Sequence, residues 1–112
     1  MRESVVETAE FIRLSQALLT EAERFALIDF VSRNPEAGVP LGAGIWKFRF
    51  ARPGGGKSGG YRVIHYYKPD GRAPVILLVI YAKNVQDTLT PPQMERLKML
   101  GEAIAESFGR QT

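Results

Sequence analysis

The chain contains no cysteine, which excludes disulfides, thiolate catalysis and cysteine-ligated metal. Histidine is nearly as scarce. His65 is the only one, and a zinc site resting on one imidazole plus carboxylates is a poor expectation. Long apolar runs are missing too, since the longest, residues 74–82, is far short of the roughly 20 residues that cross a bilayer. The first ten residues already carry Glu3, Glu7 and Glu10, so the basic-then-apolar pattern of a secretory signal is not present. These absences predict a soluble, cytoplasmic chain with no membrane partner. Acidic residues are scarce in one stretch only: between Lys47 and Lys83 the single example is Asp70. Carboxylate pairs able to hold magnesium are therefore lacking there, and any phosphate chemistry in that stretch is expected to need no metal or other cofactor.

What is present is a segregated positive charge. The net charge of the 112 residues is only +3. Residues 1–46 nevertheless balance to −3, residues 47–83 to +7 and residues 84–112 to −1. The middle third holds Lys47, Arg49, Arg52, Lys57, Arg62, Lys68, Arg72 and Lys83. A solvated surface normally mixes both signs. Cations gathered in one third of the chain instead set up a local field that attracts polyanions, nucleic acid first among them. The length is that of one domain, so residues 1–112 are expected to share a single core.

Periodicity predicts the elements. Ser4-Val5-Val6-Glu7 reads as a short strand. Phe11, Leu14, Leu18 and Leu19 recur at helical spacing and predict a helix over residues 9–19. Thr20 with Glu23 three residues on is a capping box that opens a second helix, with Phe25, Ile28 and Val31 as its expected apolar face and a stop near Asn34 ahead of Pro35. In Ile45-Trp46-Lys47-Phe48-Arg49-Phe50 the period becomes two, placing aromatics on one strand face and cations on the other. Residues 61–67 form another strand, Lys68-Pro69-Asp70-Gly71 a turn, and residues 75–81 an aliphatic run typical of a strand covered on both faces. Thr90-Pro91-Pro92 starts a last helix striped by Met94, Leu97, Leu100, Ile104 and Phe108. The expected fold is α+β, in the order β-α-α-β-β-β-α, with a small antiparallel sheet, a helical hairpin and a C-terminal helix.

Three features were weighed for chemistry. Residues 51–58 satisfy a loose phosphate-loop pattern, with Ala51 in place of the first glycine. That loop would have to open a helix, whereas here it leads into a strand. Its glycines fit better as a bend against a partner, with Lys57 as a phosphate contact. His65 lies in a strand between aromatic neighbours, where a packed or hydrogen-bonded role is the expectation. Tyr67 and Tyr81 stand beside the basic stretch and are candidates to stack on nucleobases, while Trp46 is assigned to the core.

Gly59-Gly60-Tyr61-Arg62-Val63-Ile64-His65-Tyr66-Tyr67, taken with Trp46-Lys47-Phe48-Arg49-Phe50, Gly56-Lys57-Ser58-Gly59-Gly60 and Ile80-Tyr81-Ala82-Lys83-Asn84, resembles the RelE/ParE toxin superfamily. The nearest branch is the HigB-like group with a glycine-rich insert between strands. The motifs occur in the family's order over nearly the whole chain. The resemblance implies the toxin of a type II toxin–antitoxin pair that enters the ribosomal decoding site and cuts mRNA without metal. It also implies a cognate antitoxin of HigA-like, helix-turn-helix type. The family's catalytic lysines match Lys47 and Arg49, its glycine–tyrosine–arginine motif matches Gly60-Tyr61-Arg62, and Lys83 falls on a basic position. Asn84 stands where the family's type member has a catalytic arginine. The C-terminal tyrosine of that member has no counterpart, because the corresponding stretch reads Thr88-Leu89-Thr90.

The chemistry suits these residues. Attack by a ribose 2′-hydroxyl on the adjacent phosphate builds charge on its non-bridging oxygens, which fixed cations such as Arg49 and Arg62 stabilise. Lys47 is the candidate base, since neighbouring cations favour the neutral form of an amine, whereas a guanidinium does not readily give up its proton. Catalytic roles are thus expected for Lys47, Arg49, Arg62 and Lys83. RNA contacts are expected from Arg52, Lys57, Tyr67, Tyr81 and Asn84. Two competing readings remain at this point: a ParE-like inhibitor of DNA gyrase and a non-catalytic RNA-binding module.

Overall fold

Strand β1 (Val5–Glu7) leads directly into helix α1 (Ala9–Leu18), because Thr8 holds extended backbone and accepts the Phe11 N–H at 3.1 Å. Leu19 ends that helix, and Thr20 starts α2 (Glu21–Arg33) with both halves of the expected capping box formed: Thr20 Oγ1 accepts from the Glu23 amide, and the Glu23 carboxylate accepts from the Thr20 amide. The computed structural model describes residues 2–51, 60–69, 71–85 and 88–109. After α2 come β2 (Val39–Gly42), β3 (Ile45–Phe50), β4 (Tyr61–Tyr66), β5 (Val75–Ala82) and α3 (Pro91–Gly109). Thr90 caps α3 by accepting from the Gln93 amide while Gln93 Oε1 accepts from the Thr90 amide, a second capping box.

The sheet has five strands in the order β1-β5-β4-β3-β2. Two of its features depart from the expected antiparallel meander. β1 returns from the first residues of the chain to pair parallel with β5, Val5 opposite Val75. An additional edge strand, β2, forms a hairpin with β3, Val39 opposite Lys47. Pro40 sits within this strand, which only an edge position tolerates.

Each face of the sheet carries helices. Phe11, Leu19, Leu27 and Val31 of the α1–α2 hairpin bury against Phe48, Phe50, Tyr61, Val63, Leu77 and Ile80. Complete burial of one such side chain is worth roughly 1.5–3 kcal/mol, so this layer contains most of the core. On the opposite face α3 covers Ile45, Ile64, Tyr66, Ile76 and Leu78 with Met94, Leu97 and Ile104. The expected stripe of α2 needs correcting. Phe25 is 56% exposed, and Leu27 takes its place in the core beside Val31 and the half-buried Ile28. Arg24 on the same helix reaches β1 instead and donates to both Glu7 carboxylate oxygens at 2.8 Å, fixing the rotation of α2. Leu100, expected in the α3 stripe, is likewise turned outward.

A bulge in β5 sets up the site. Ile64 pairs with Val79 and His65 with Leu77, leaving Leu78 as an extra residue. Leu78 and Val79 therefore both face α3, and every later residue of the strand changes sides: Ile80 points to the hairpin and Tyr81 to the α3 face.

Candidate nucleic-acid interface

Alternation along β3 separates the aromatics from the cations as expected. Phe48 and Phe50 are buried under the hairpin and Trp46 packs beside them, its indole N–H donating to the Tyr67 carbonyl at 2.9 Å. Lys47 and Arg49 point to the other face, where α3 leaves one corner of the sheet uncovered. Arg49 lies directly opposite Arg62 on β4, and Arg62 lies opposite Tyr81 on β5. The three side chains form a row across three strands. Lys47 starts the neighbouring row, opposite Ile64. Directly opposed residues have Cβ atoms about 4.5–5.5 Å apart, so this row brings two guanidinium groups and a tyrosine ring together, with Arg62 Nη1 and the Tyr81 hydroxyl themselves buried. Arg49 is exposed, Lys47 and Tyr81 are half-buried, and Arg62 is only 7% exposed.

The Gly60-Tyr61-Arg62 triplet has a local physical explanation. Gly60 has φ +74°, and a side chain there would meet the Phe50 carbonyl oxygen at 3.0 Å, so the chain enters β4 hard against the end of β3. Tyr61 points to the hairpin and donates its hydroxyl to the Leu18 carbonyl at 3.1 Å. That anchor fixes the pleat, and Arg62 must then face the other way. A cavity of about 570 Å³ opens beside these cations, with Lys47, Arg49 and Arg62 along one side and Phe30, Gly38 and Val39 along the other.

Gly38 holds that rim in place. Its φ is +86°, and an added Cβ would lie 2.0 Å from the Lys47 carbonyl oxygen and 2.7 Å from the Phe48 Cβ. Neither neighbour is a flexible side-chain end. Gly38→Ala is expected to lower stability by roughly 2 kcal/mol through positive-φ strain and overpacking, read as a fall in the urea midpoint at unchanged slope. An unchanged midpoint would mean that the 37–39 segment does not press on β3 as described.

The other expected site residues are distributed unevenly. Lys83 and Asn84 are exposed in the turn just beyond β5, at the same end of the sheet as Tyr81. Arg52 and Lys57 lie outside the described residues. Tyr67 is not brought to the basic corner. It belongs to the core on the hairpin face, and its hydroxyl is held protonated above the usual phenol range by burial and by Glu3 and Glu36. Tyr81, by contrast, stands on the α3 face in line with Arg49 and Arg62. His65 is packed as expected. It is fully buried between Trp46 and Phe48, ring centroids 6.2 and 5.4 Å away, and its Nε2 lies 2.7 Å from the Pro35 carbonyl oxygen.

A second, smaller cavity of about 270 Å³ lies between α1 and α3. Glu10, Leu14, Val79, Tyr81, Gln93 and Arg96 help to line it. Sequence reading assigned Glu10, Gln93 and Arg96 only to helices. No local pattern marks them, because they meet only through packing between elements about 80 residues apart.

No helix among the described residues is long and apolar enough to cross a membrane. The family model described as the RelE toxin of the RelE/RelB toxin–antitoxin system matches residues 5–111, which takes in every strand and helix from β1 to α3.

Proposed function

Because this chain belongs to the RelE toxin family, we propose that it acts as a metal-independent, ribosome-dependent mRNA endonuclease, kept inactive by an antitoxin that covers its basic corner. The observation that carries this reading is the Arg49–Arg62–Tyr81 row with Lys47 beside it, which runs from the exposed Arg49 on β3 through Arg62 to the Tyr81 ring beside α3. A phosphodiester laid across the row meets two guanidinium groups at its non-bridging oxygens, and Tyr81 can take an adjacent base.

In the cleavage step the 2′-oxygen attacks phosphorus, the bond from phosphorus to the 5′-oxygen breaks, and a 2′,3′-cyclic phosphate and a 5′-hydroxyl remain. Lys47 is the candidate to take the 2′ proton, since it stands one row from the two arginines and is partly screened from water. Arg49 and Arg62 hold the charge that grows on the phosphate. Lys83, exposed in the turn two residues beyond Tyr81, is the candidate to supply the proton that the departing 5′-oxygen needs. Asn84 adds a neutral polar contact to the strand. In the HigB-like reading Arg52 and Lys57 extend the phosphate track, and the antitoxin is of HigA-like, helix-turn-helix type.

Induced expression in a bacterium, with growth and transcript 5′ ends followed for wild type and Lys47→Ala, tests the proposal. The expected result is growth arrest with new 5′ ends inside translated codons for wild type, and loss of both for the variant. A missing base typically costs roughly 10²–10⁴ in rate. Arrest without new ends would overturn the nuclease reading and point to a target such as gyrase.

A further inference from the structure

The end of the sheet away from the basic corner carries a second charged surface, and we propose that it is an interface between two copies of this chain. Arg62 and Tyr81 pair near one end of β4 and β5, whereas Tyr66 and Ile76 pair at the other. There a cavity of about 480 Å³ opens between the turn after β4 and the second half of α3. Its lining carries both signs of charge: Lys68 and Arg72 on the turn, Glu102 and Glu106 on the helix, with the Tyr66 ring as its aromatic member. Contacts with that ring fix both sides. Gly101 is buried against it, and an added Cβ there would lie 2.6 Å from a ring carbon, so α3 crosses β4 in close backbone contact at one rotation. Lys68 Nζ lies 5.8 Å from the ring centroid, a cation–π contact. No ion pair among the described residues joins Lys68 or Arg72 to Glu102.

A partner that satisfies this surface must itself carry both signs, and a second copy offers them in the matching arrangement. Met99, Glu102 and Glu106 follow at spacings of three and four residues and share one face of α3. Met99 is 65% exposed, more than any other large apolar side chain described on a helix, and Ala103 one turn on is exposed beside it. A two-fold interface is reciprocal, so each contact occurs twice. With the two α3 helices antiparallel, the acidic flank of each lies beside the turn of the other. Arg72 then pairs with Glu102 of the second copy, Glu102 pairs with Arg72 of that copy, and Lys68 and Glu106 extend the contact. Met99 and Ala103 meet at the centre, where the small alanine lets the helices approach. Parallel helices would instead set each turn against the opposite flank, which carries Arg96, and like charges would oppose. The carboxylates also repel a nucleic-acid backbone, so this surface does not continue the basic corner. One helix face with exposed charge pairs makes a weak, salt-sensitive dimer. Both basic corners stay open at the far ends of the sheets, and the inference does not depend on the RNA reading.

The test is sedimentation equilibrium of the full chain over a concentration series, with circular dichroism to establish that each variant is folded. Wild type is expected to move from 12.5 kDa toward twice that mass as concentration rises, and to move back in high salt. Arg72→Glu and Glu102→Arg each turn two attractive contacts of the dimer into like-charge contacts, and each is expected to weaken association about tenfold or more. The double variant Arg72→Glu/Glu102→Arg reverses both partners and should associate as wild type does. A monomeric mass at every concentration would overturn the proposal and leave the face to a different protein. Association that neither single substitution weakens, or that the double variant fails to restore, would overturn this pairing and move the interface elsewhere. The nuclease reading stands apart from these outcomes and is decided by the transcript 5′ ends of the Lys47→Ala experiment.

Discussion

Arg62→Ala is expected to abolish growth arrest and to lower the rate of mRNA cleavage by about 10²–10³, with the fold intact. Several observations support an effect this large. Arg62 is the central member of the Arg49–Arg62–Tyr81 row and only 7% exposed, so its charge acts where little water competes. Its direction is set by Tyr61, whose hydroxyl bond to Leu18 survives the substitution. Arg62→Lys retains the charge but not the planar fork, and should recover only part of the rate. Arg49→Ala removes an exposed cation and should act more on RNA affinity than on the step itself, lowering the salt dependence of binding by about one phosphate contact. The measurements are single-turnover cleavage on programmed ribosomes, with circular dichroism to establish folding. A folded Arg62→Ala protein that cleaves at the wild-type rate would remove Arg62 from the catalytic group.

Acid should weaken the fold through one residue. His65 is fully buried between Trp46 and Phe48, and desolvation lowers its pKa to about 4 from 6.5, opposed in part by the hydrogen bond to the Pro35 carbonyl. That bond and the low pKa together identify the neutral Nε2–H tautomer as the resident form. Between pH 6.5 and pH 4 the unfolded chain therefore binds a proton that the folded one does not. The contribution to stability is complete above pH 6.5 and is lost as the pH falls toward 4, by about 3 kcal/mol. Against a typical total of 5–15 kcal/mol this is a large fraction. Urea denaturation from pH 7 to pH 4 should show the loss, and His65→Phe should flatten it whatever that substitution does to the absolute value. A slope that persists in the variant would assign the acid sensitivity to other groups. The two rings around His65 belong to the strand that carries Lys47, so activity should fall over the same interval.

How far these features could be read from the sequence depended on how locally each was determined. The starts of α2 and α3 were legible because Thr20 with Glu23, and Thr90 with Pro91, act within one turn of chain. The assignment of Lys47 and Arg49 to one face and of Phe48 and Phe50 to the other was legible for the same reason, since pleating alone decides it. The stripe of α2 was misread because apolar residues surround that helix. What decided between Phe25 and Leu27 was the tether from Arg24 to Glu7, 17 residues earlier in the chain. β2 was invisible, its four exposed residues including a proline and a glycine. The parallel pairing of β1 with β5 joins segments 70 residues apart, beyond any local pattern. For the candidate site, charge marked the basic stretch, and the family resemblance singled out Lys47, Arg49, Arg62 and Lys83 within it. Tyr67 and Tyr81 could not be told apart, because the side on which Tyr81 emerges depends on the bulge, which an aliphatic run covered on both faces does not record.

That bulge has a consequence for how the strand can change. Strict alternation from Leu77 would have turned Tyr81 toward the hairpin, out of line with Arg62. Leu78 works as a phase shifter, a one-residue offset that brings Tyr81 into line with Arg62 while Ile80 stays in the core. Under the proposed RNA reading, the residue at position 81 can therefore be exchanged without disturbing the pairing with β1, provided the offset and the buried Ile80 are kept.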